Sequence, residues 1–343
     1  MTRVAFLFPG QGSQAVGMGA NIFESSPAAR RVFEQVDEAL HFPLSRLCFT
    51  GPDETLRETI NAQPAIVTVS LALLAALQET LSTQTSAPAP SWTAPLTPAF
   101  TAGHSVGEYA ALVASGSLEL ADAVRLVRER GRLMHHEGTV CPGSMAAIIA
   151  MDEEALRQVC EEATARASAN KTGTHPGEGQ VAIANYNAPG QIVISGELKA
   201  LNLAMELAKA RGAKKIIPLA VSGAFHSPVM QPAATDLAQA IASTTVNDAR
   251  IPLIGNISAQ PLTSAREIRE EMAQQIAAPV QWTRGIEHLV SEGVTTFIEI
   301  GPGQALTGMV KRIARGITLM NVSSEEDITK VASSLREMGL TGS

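Results

Sequence analysis

Ala99-Phe-Thr-Ala-Gly-His-Ser-Val-Gly-Glu-Tyr-Ala-Ala-Leu-Val-Ala114 is the stretch on which the reading of the fold turns. Ala99 to Ala102 is short and apolar, as a buried strand is, and Glu108 to Ala114 opens a helical pattern. Between them Gly103-His-Ser-Val-Gly107 fits G-x-S-x-G. Glycines on either side let the backbone turn sharply from strand to helix and lift the Ser105 hydroxyl above the sheet. An ordinary Gly-Ser turn can carry the same letters, so the flanking elements give the pattern its meaning. Working outward, Val4 to Phe8 reads as another buried strand, ending in the loop Pro9-Gly-Gln-Gly-Ser13. Helical patterns follow at Ala28 to Leu40, from near Pro64 to Leu81, and at Ala121 to His135. Further strands are expected at Ile251 to Ile257 and Thr296 to Ile300. Strands alternating with helices predict an α/β protein whose sheet is covered by helices.

Ser144 to Val221 reads as a separate unit. A strand at Met145 to Met151 precedes a helix at Glu153 to Ala167, and two strands, Gln180 to Asn185 and Gln191 to Ser195, are joined through Asn187-Ala-Pro-Gly190. A helix at Glu197 to Arg211 and a strand at Lys215 to Val221 complete the order βαββαβ, a ferredoxin-like module. The expected organisation is a discontinuous main domain, residues 1–143 and 222–343, interrupted by a ferredoxin-like subdomain at 144–221. Two stretches are polar or Pro-rich and aperiodic: Ser82 to Pro98, expected to be an exposed and mobile connection, and Ser168 to Gly179.

Composition narrows the function classes. The 343 residues are 45% hydrophobic and 17% charged, which suits a globular chain and not a disordered one. Lys and Arg number 26 against 33 Asp and Glu, a net charge of -7 with no overall footprint for nucleic acid. Cys48, Cys141 and Cys160 are far apart and odd in number, suiting neither a disulfide framework nor a zinc site, and point to buried thiols in a reducing cytoplasm. Met1 to Phe8 is too short for a secretory signal, and Ala65 to Leu77 too short to span a bilayer.

A serine near neutral pH needs a base. Of seven histidines, His226 is best placed: it follows the apolar run Ile216 to Val221, where ligands gather beyond strand ends, and comes after Ser105 in chain order as in α/β-hydrolases. No acid is obvious as a third member. Asp236 falls on a helix, Glu299 precedes Gly301-Pro-Gly303, and a backbone carbonyl can orient the imidazole equally well. Gly10-Gln-Gly12-Ser-Gln-Ala15 formally fits the dinucleotide fingerprint, but its acid, Glu34, falls inside a helix pattern. The loop is better read as a source of backbone N–H groups for an oxyanion. Arg130 shares its helix with Arg125, Arg128 and Arg132, and spacing alone makes it one more solvated charge.

Taken together, the motifs resemble one family. Phe8-Pro-Gly-Gln-Gly-Ser-Gln14, Gly103-His-Ser-Val-Gly-Glu108, Arg128-Glu-Arg-Gly-Arg-Leu-Met134 and Ala224-Phe-His-Ser-Pro228 occur in the order found in malonyl-CoA:acyl-carrier-protein transacylases. Asn185-Tyr-Asn-Ala-Pro-Gly190, Pro279-Val-Gln-Trp282 and Glu299-Ile-Gly-Pro-Gly303 are also similar to that family, and the resemblance runs from Val4 to Val322. The 82–98 and 168–179 stretches look longer than in lean members and interrupt no motif. The resemblance implies an α/β-hydrolase-like domain with the ferredoxin-like insert, and ping-pong malonyl transfer from malonyl-CoA to acyl carrier protein for fatty acid synthesis. It implies Ser105 as nucleophile, His226 as base, and the main-chain carbonyl of Gln281 as the group that holds the imidazole. It further implies an oxyanion hole from the N–H groups of Gln11 and Val106, and Arg130 as the receptor for the malonyl carboxylate. Met134 and Phe225 would shape the acyl pocket, and Asn185 and Asn187 would line the CoA or acyl end of the cleft. No metal or redox cofactor is implied, no membrane or nucleic acid, and a cytoplasmic monomer is expected. An acidic carrier demands local positive charge, for which Lys311, Arg312 and Arg315 are the candidates. Three rivals are a discrete acyltransferase of a polyketide assembly line, a serine thioesterase or hydrolase with no need of Arg130, and a non-catalytic carrier-binding module.

Overall fold

The computed structural model describes residues 2–82, 96–169 and 173–340. Among them the strands are β1 Arg3–Phe8, β2 Phe100–Gly103, β3 Gly143–Ile149, β4 Val181–Ala188, β5 Gln191–Glu197, β6 Lys215–Pro218, β7 Leu253–Ile254, β8 Pro261–Leu262, β9 Val294–Ile300 and β10 Thr318–Val322. Two sheets result. The larger has the order β10-β9-β1-β2-β7-β8, parallel except for β8, which pairs antiparallel with β7. β1 lies at its centre, and Val4 to Phe8 are buried without alternation because helices cover both faces. The nucleophile stretch supplies the adjacent β2 and the helix Gly107–Ala114.

The second sheet has the order β4-β5-β3-β6, antiparallel throughout, and with the helices Glu153–Ser168 and Leu198–Ala210 it is the ferredoxin-like unit. Strand periodicity joins it to the main domain. Ala146 and Ile148 of β3 pack under the unit's own helices, whereas Met145 and Ala147 join the main core. Backbone pairing strengthens the seam: Tyr186 N–H donates to the Val280 carbonyl at 2.9 Å, and Val280 N–H to the Ala184 carbonyl at 2.8 Å.

Three sequence expectations change in detail. The strand expected at Ile251 to Ile257 shrinks to β7, because the backbone leaves the ladder after Ile254 and carries Asn256 toward the nucleophile turn. The helix expected from Pro64 spans Thr59–Ser82, with Pro64 inside it. The helix, at 24 residues, is long and apolar enough to cross a membrane, but 18 of those residues are buried inside the protein. The helix expected to end near His135 runs over Leu120–Val140. Residues 83–95, within the Pro-rich stretch, and 170–172, within the polar insert, lie outside the described residues.

The helices Thr59–Ser82 and Leu120–Val140 approach closely at Gly131. A Cβ there would stand 2.7 Å from the Thr59 carbonyl oxygen and 2.8 Å from Ile60 Cα, both backbone atoms that cannot swing aside. Gly131→Ala is therefore expected to destabilise the protein by about 1–3 kcal/mol, seen as a lower midpoint in chemical denaturation.

Candidate active site

Ser105 sits on the turn between β2 and the helix Gly107–Ala114, with φ of 51°. The flanking glycines are required sterically. A Cβ on Gly103 would lie 2.0 Å from the Gly107 carbonyl carbon, and one on Gly107 would lie 2.2 Å from the Phe8 carbonyl oxygen. Asn256 fixes the turn from the side: its Oδ1 accepts from Ser105 N–H at 2.8 Å and its Nδ2 donates to the Gly103 carbonyl at 2.7 Å. Left-handed backbone at a non-glycine residue costs about 1–2 kcal/mol, and these bonds hold it in place.

His226 also has a left-handed backbone, with φ of 57°. The segment that follows the helix Ala265–Gln274 clasps it three times. His226 N–H donates to the Ile276 carbonyl at 2.9 Å, and Nδ1 faces the carbonyls of Gln275 at 2.9 Å and Ala278 at 3.2 Å. Carbonyls only accept, so Nδ1 carries the ring proton and Nε2 is left with a lone pair. Nε2 lies 2.6 Å from Ser105 Oγ, and the hydroxyl donates to it. The expectation that the Gln281 carbonyl would hold the imidazole is corrected: Gln281 caps the helix Trp282–Ser291 and its carbonyl accepts from Gly285 N–H at 2.9 Å. The Gln275 carbonyl stands where the helix Ala265–Gln274 passes into a single 3-10 turn; it accepts from Ala278 N–H at 3.3 Å and also meets the ring. Neither acid considered from sequence takes part. Glu299 receives the N–H groups of Leu306 at 3.0 Å and Thr307 at 2.6 Å at a helix start, and Asp236 is exposed on the helix Gln231–Ala242.

The four arginines of one helix separate by environment. Arg132 pairs with Glu129 at 2.6 Å, Arg125 with Asp122 at 3.4 Å, and Arg128 lies over the Phe42 ring. Arg130 is 1% exposed and points into the site. Its Nη2 donates to Ser105 Oγ at 3.1 Å and to Gln275 Oε1 at 2.8 Å, and its Nη1 to Gln63 Oε1 at 2.5 Å. Its Nε is buried and has no hydrogen-bond partner among the described residues. Burial and then the Arg130 charge push the His226 imidazole down to about 3 from its ordinary 6.5, so the ring is a neutral base across the neutral range. Burial, helped by Glu271, raises the nearby Glu108 carboxyl well above the carboxylate range; burial also brings Glu271 to about 7.

Gln11 and Val106 flank the site on the two loops expected from sequence, and the loop at Gly10 lies against the His104 turn, where a Cβ would be 2.7 Å from the His104 carbonyl oxygen. Among the described residues neither the Gln11 nor the Val106 N–H has a hydrogen-bond acceptor. Asn187 reaches across from the inserted sheet, with its Oδ1 2.8 Å from His104 Nε2, and Asn185 is buried on the same strand. Met134 and Phe225 are both buried in the main core, Met134 with its sulfur 3.3 Å from Gln63 Nε2. Of the basic candidates, Arg312 donates to the Pro189 carbonyl at 2.8 Å, while Lys311 and Arg315 are exposed. Sequence reasoning missed Gln63, Asn256 and Gln275. Gln63 had a signal, as an amide in an apolar helix; Asn256 fell inside the expected strand Ile251 to Ile257 with nothing to set it apart, and Gln275 had no signal.

A neutral histidine holding a strained serine beneath a helical cover, on a parallel sheet, defines a serine-nucleophile enzyme of the α/β-hydrolase-like class. A family model, the acyl transferase domain, matches residues 5–332. The chain is 45% identical over 337 residues to the malonyl CoA-acyl carrier protein transacylase of Bacillus subtilis, covering 98% of each chain. It is 40% identical over 319 residues to that of Escherichia coli K12, covering 93% of this chain and 95% of the relative. Among solved structures, an acyl-carrier-protein S-malonyltransferase from Bartonella henselae superposes with a TM-score of 0.87 at 40% identity, covering 98% of this chain and 100% of that one. A malonyl-transacylase solved in complex with its type II polyketide acyl-carrier protein gives 0.87 at 33% identity, covering 97% and 100%. The chain belongs to the malonyl-CoA:acyl-carrier-protein transacylase family.

The depressed His226 pKa fixes the sign of the pH response. Protonating Nε2 removes the lone pair that takes the serine proton, so activity falls only as pH drops through the histidine's own pKa. The kcat/KM for malonyl-CoA, which reports the free enzyme, is expected to show no inflection near the ordinary 6.5 between about pH 8 and about pH 5.

Proposed function

We infer that this chain transfers the malonyl group of malonyl-CoA to the phosphopantetheine thiol of acyl carrier protein, supplying extender units for fatty acid synthesis. His226 Nε2 takes the Ser105 proton as Oγ attacks the thioester carbonyl. The N–H groups of Gln11 and Val106 receive the oxyanion of the tetrahedral intermediate. Collapse breaks the C–S bond, the departing CoA sulfur takes the proton from Nε2, and a malonyl ester remains on Ser105. The carrier thiol then attacks this ester, giving its proton to His226, which returns it to Ser105 Oγ. No metal or redox group is needed in either half-reaction.

The observation that carries the substrate assignment is Arg130, a buried guanidinium 3.1 Å from the nucleophile whose hydrogen bonds among the described residues go to neutral groups only. A diacid thioester brings the missing counter-charge, and a planar fork grips a carboxylate through two parallel bonds. Met134 and Phe225 bound the space beside it, and Asn185 and Asn187 line the thioester's approach from the inserted sheet. Lys311 and Arg315 are proposed to meet the acidic carrier. Action as a monomer is proposed, and a cytoplasmic setting suits three buried cysteines.

Intact mass spectrometry after brief exposure to malonyl-CoA should show one malonyl adduct, absent in Ser105→Ala; an adduct that persists in that variant refutes the nucleophile. Arg130→Ala should lower malonyl transfer by about thirtyfold to several-thousandfold and spare acetyl transfer by comparison. Equal losses with both acyl groups would make Arg130 structural.

A further inference from the structure

Buried charges are usually paired with an opposite charge. Arg130 is held instead by two side-chain amides, Gln63 Oε1 on Nη1 and Gln275 Oε1 on Nη2. Each amide is oriented by its own nitrogen. Gln63 Nε2 donates to Met134 Sδ at 3.3 Å, and Gln275 Nε2 donates to the Ser105 carbonyl at 3.0 Å and to the Glu108 carboxyl. A flipped amide would set an NH2 against the guanidinium, so the network admits one orientation. Gln63 and Gln275 are themselves almost wholly buried, at 0% and 1% exposure.

An amide oxygen orients a guanidinium as well as a carboxylate does but leaves its charge unspent. Glutamate has nearly the shape of glutamine, so a carboxylate would fit in either place and would neutralise Arg130 from within. The acid nearest the network, Glu108, makes no hydrogen bond or ion pair with the guanidinium among the described residues; it receives Gln275 Nε2 instead, and burial raises its carboxyl well above the ordinary range. We propose that Gln63 and Gln275 are specificity-determining positioning residues: their neutral amides aim Arg130 while reserving its charge for the carboxylate of the incoming acyl group. The inference rests on the reading of Arg130 as carboxylate receptor. Gln63 touches Arg130 and Met134 and so acts on acyl choice through them.

The test uses the full chain and single-turnover acylation of Ser105, followed by intact mass with malonyl-CoA and acetyl-CoA in parallel. In Gln63→Glu the malonyl-to-acetyl ratio of loading rates is expected to fall by more than about tenfold, because only the anionic acyl group meets the new carboxylate. A smaller fall overturns the proposal, since damage to folding or to serine reactivity lowers both rates together. Gln275→Glu brings a carboxylate to the other side of the same guanidinium and answers the question by the same threshold if the first variant does not fold. Gln63→Met removes the amide without adding charge and should move the ratio less than Gln63→Glu; equal falls would assign the effect to packing and overturn the proposal. Arg130→Ala separates the two levels. An unchanged ratio there sinks the reading of Arg130 itself, whereas a lowered ratio there with unmoved glutamate variants sinks only the role of the amides.

Discussion

The positive charge of Arg130, buried among neutral partners, is the constraint around which the site is arranged. A buried guanidinium is costly unless its donors are met, and two features of the structure help. Two amides accept from its nitrogens, and the Tyr109 ring lies with its centroid 5.9 Å from the guanidinium carbon. The same charge reaches the neighbouring groups. It helps to hold His226 in the neutral form that a base requires, and it lies within hydrogen-bonding distance of the Ser105 hydroxyl.

Catalysis by this site depends on backbone placed where it would not rest alone. Ser105 and His226 are both left-handed, and each is pinned by a segment distant in sequence, Asn256 for the serine and residues 275–278 for the histidine. Gln275 belongs to both systems. Its carbonyl orients the imidazole, its side-chain oxygen supports Arg130, and its side-chain nitrogen reaches the Ser105 carbonyl. His226, Ser105 and Arg130 thus share one fixed point, so a small movement there would be felt by all three.

Much of this was legible beforehand where the chemistry is carried by contiguous residues. The G-x-S-x-G turn requires glycine at positions 103 and 107 because the backbone passes within contact distance of itself and of β1, and such a requirement leaves a local trace. The βαββαβ order was readable because each strand alternates between two cores and each helix shows one apolar face. Arg130 was ambiguous: four arginines on one helix look alike until burial distinguishes them. The assignment of the imidazole's acceptor to Gln281 failed because every residue has a carbonyl, and no letter marks the one that the fold turns toward the ring.

By itself, then, the sequence determined the order of elements, the inserted unit, the strand-to-helix turn at Ser105 and the choice of His226 as its neighbour, since these depend on propensity, steric need and order along the chain. Only the tertiary structure decided which arginine is buried, which carbonyl meets His226, and that amides of Gln63 and Gln275 stand where carboxylates could have stood. The physical reason is that charge and hydrogen bonding act through space over a few ångströms. Residues 63, 105, 130, 226, 256 and 275 become neighbours only when the sheet and the two long helices close around them.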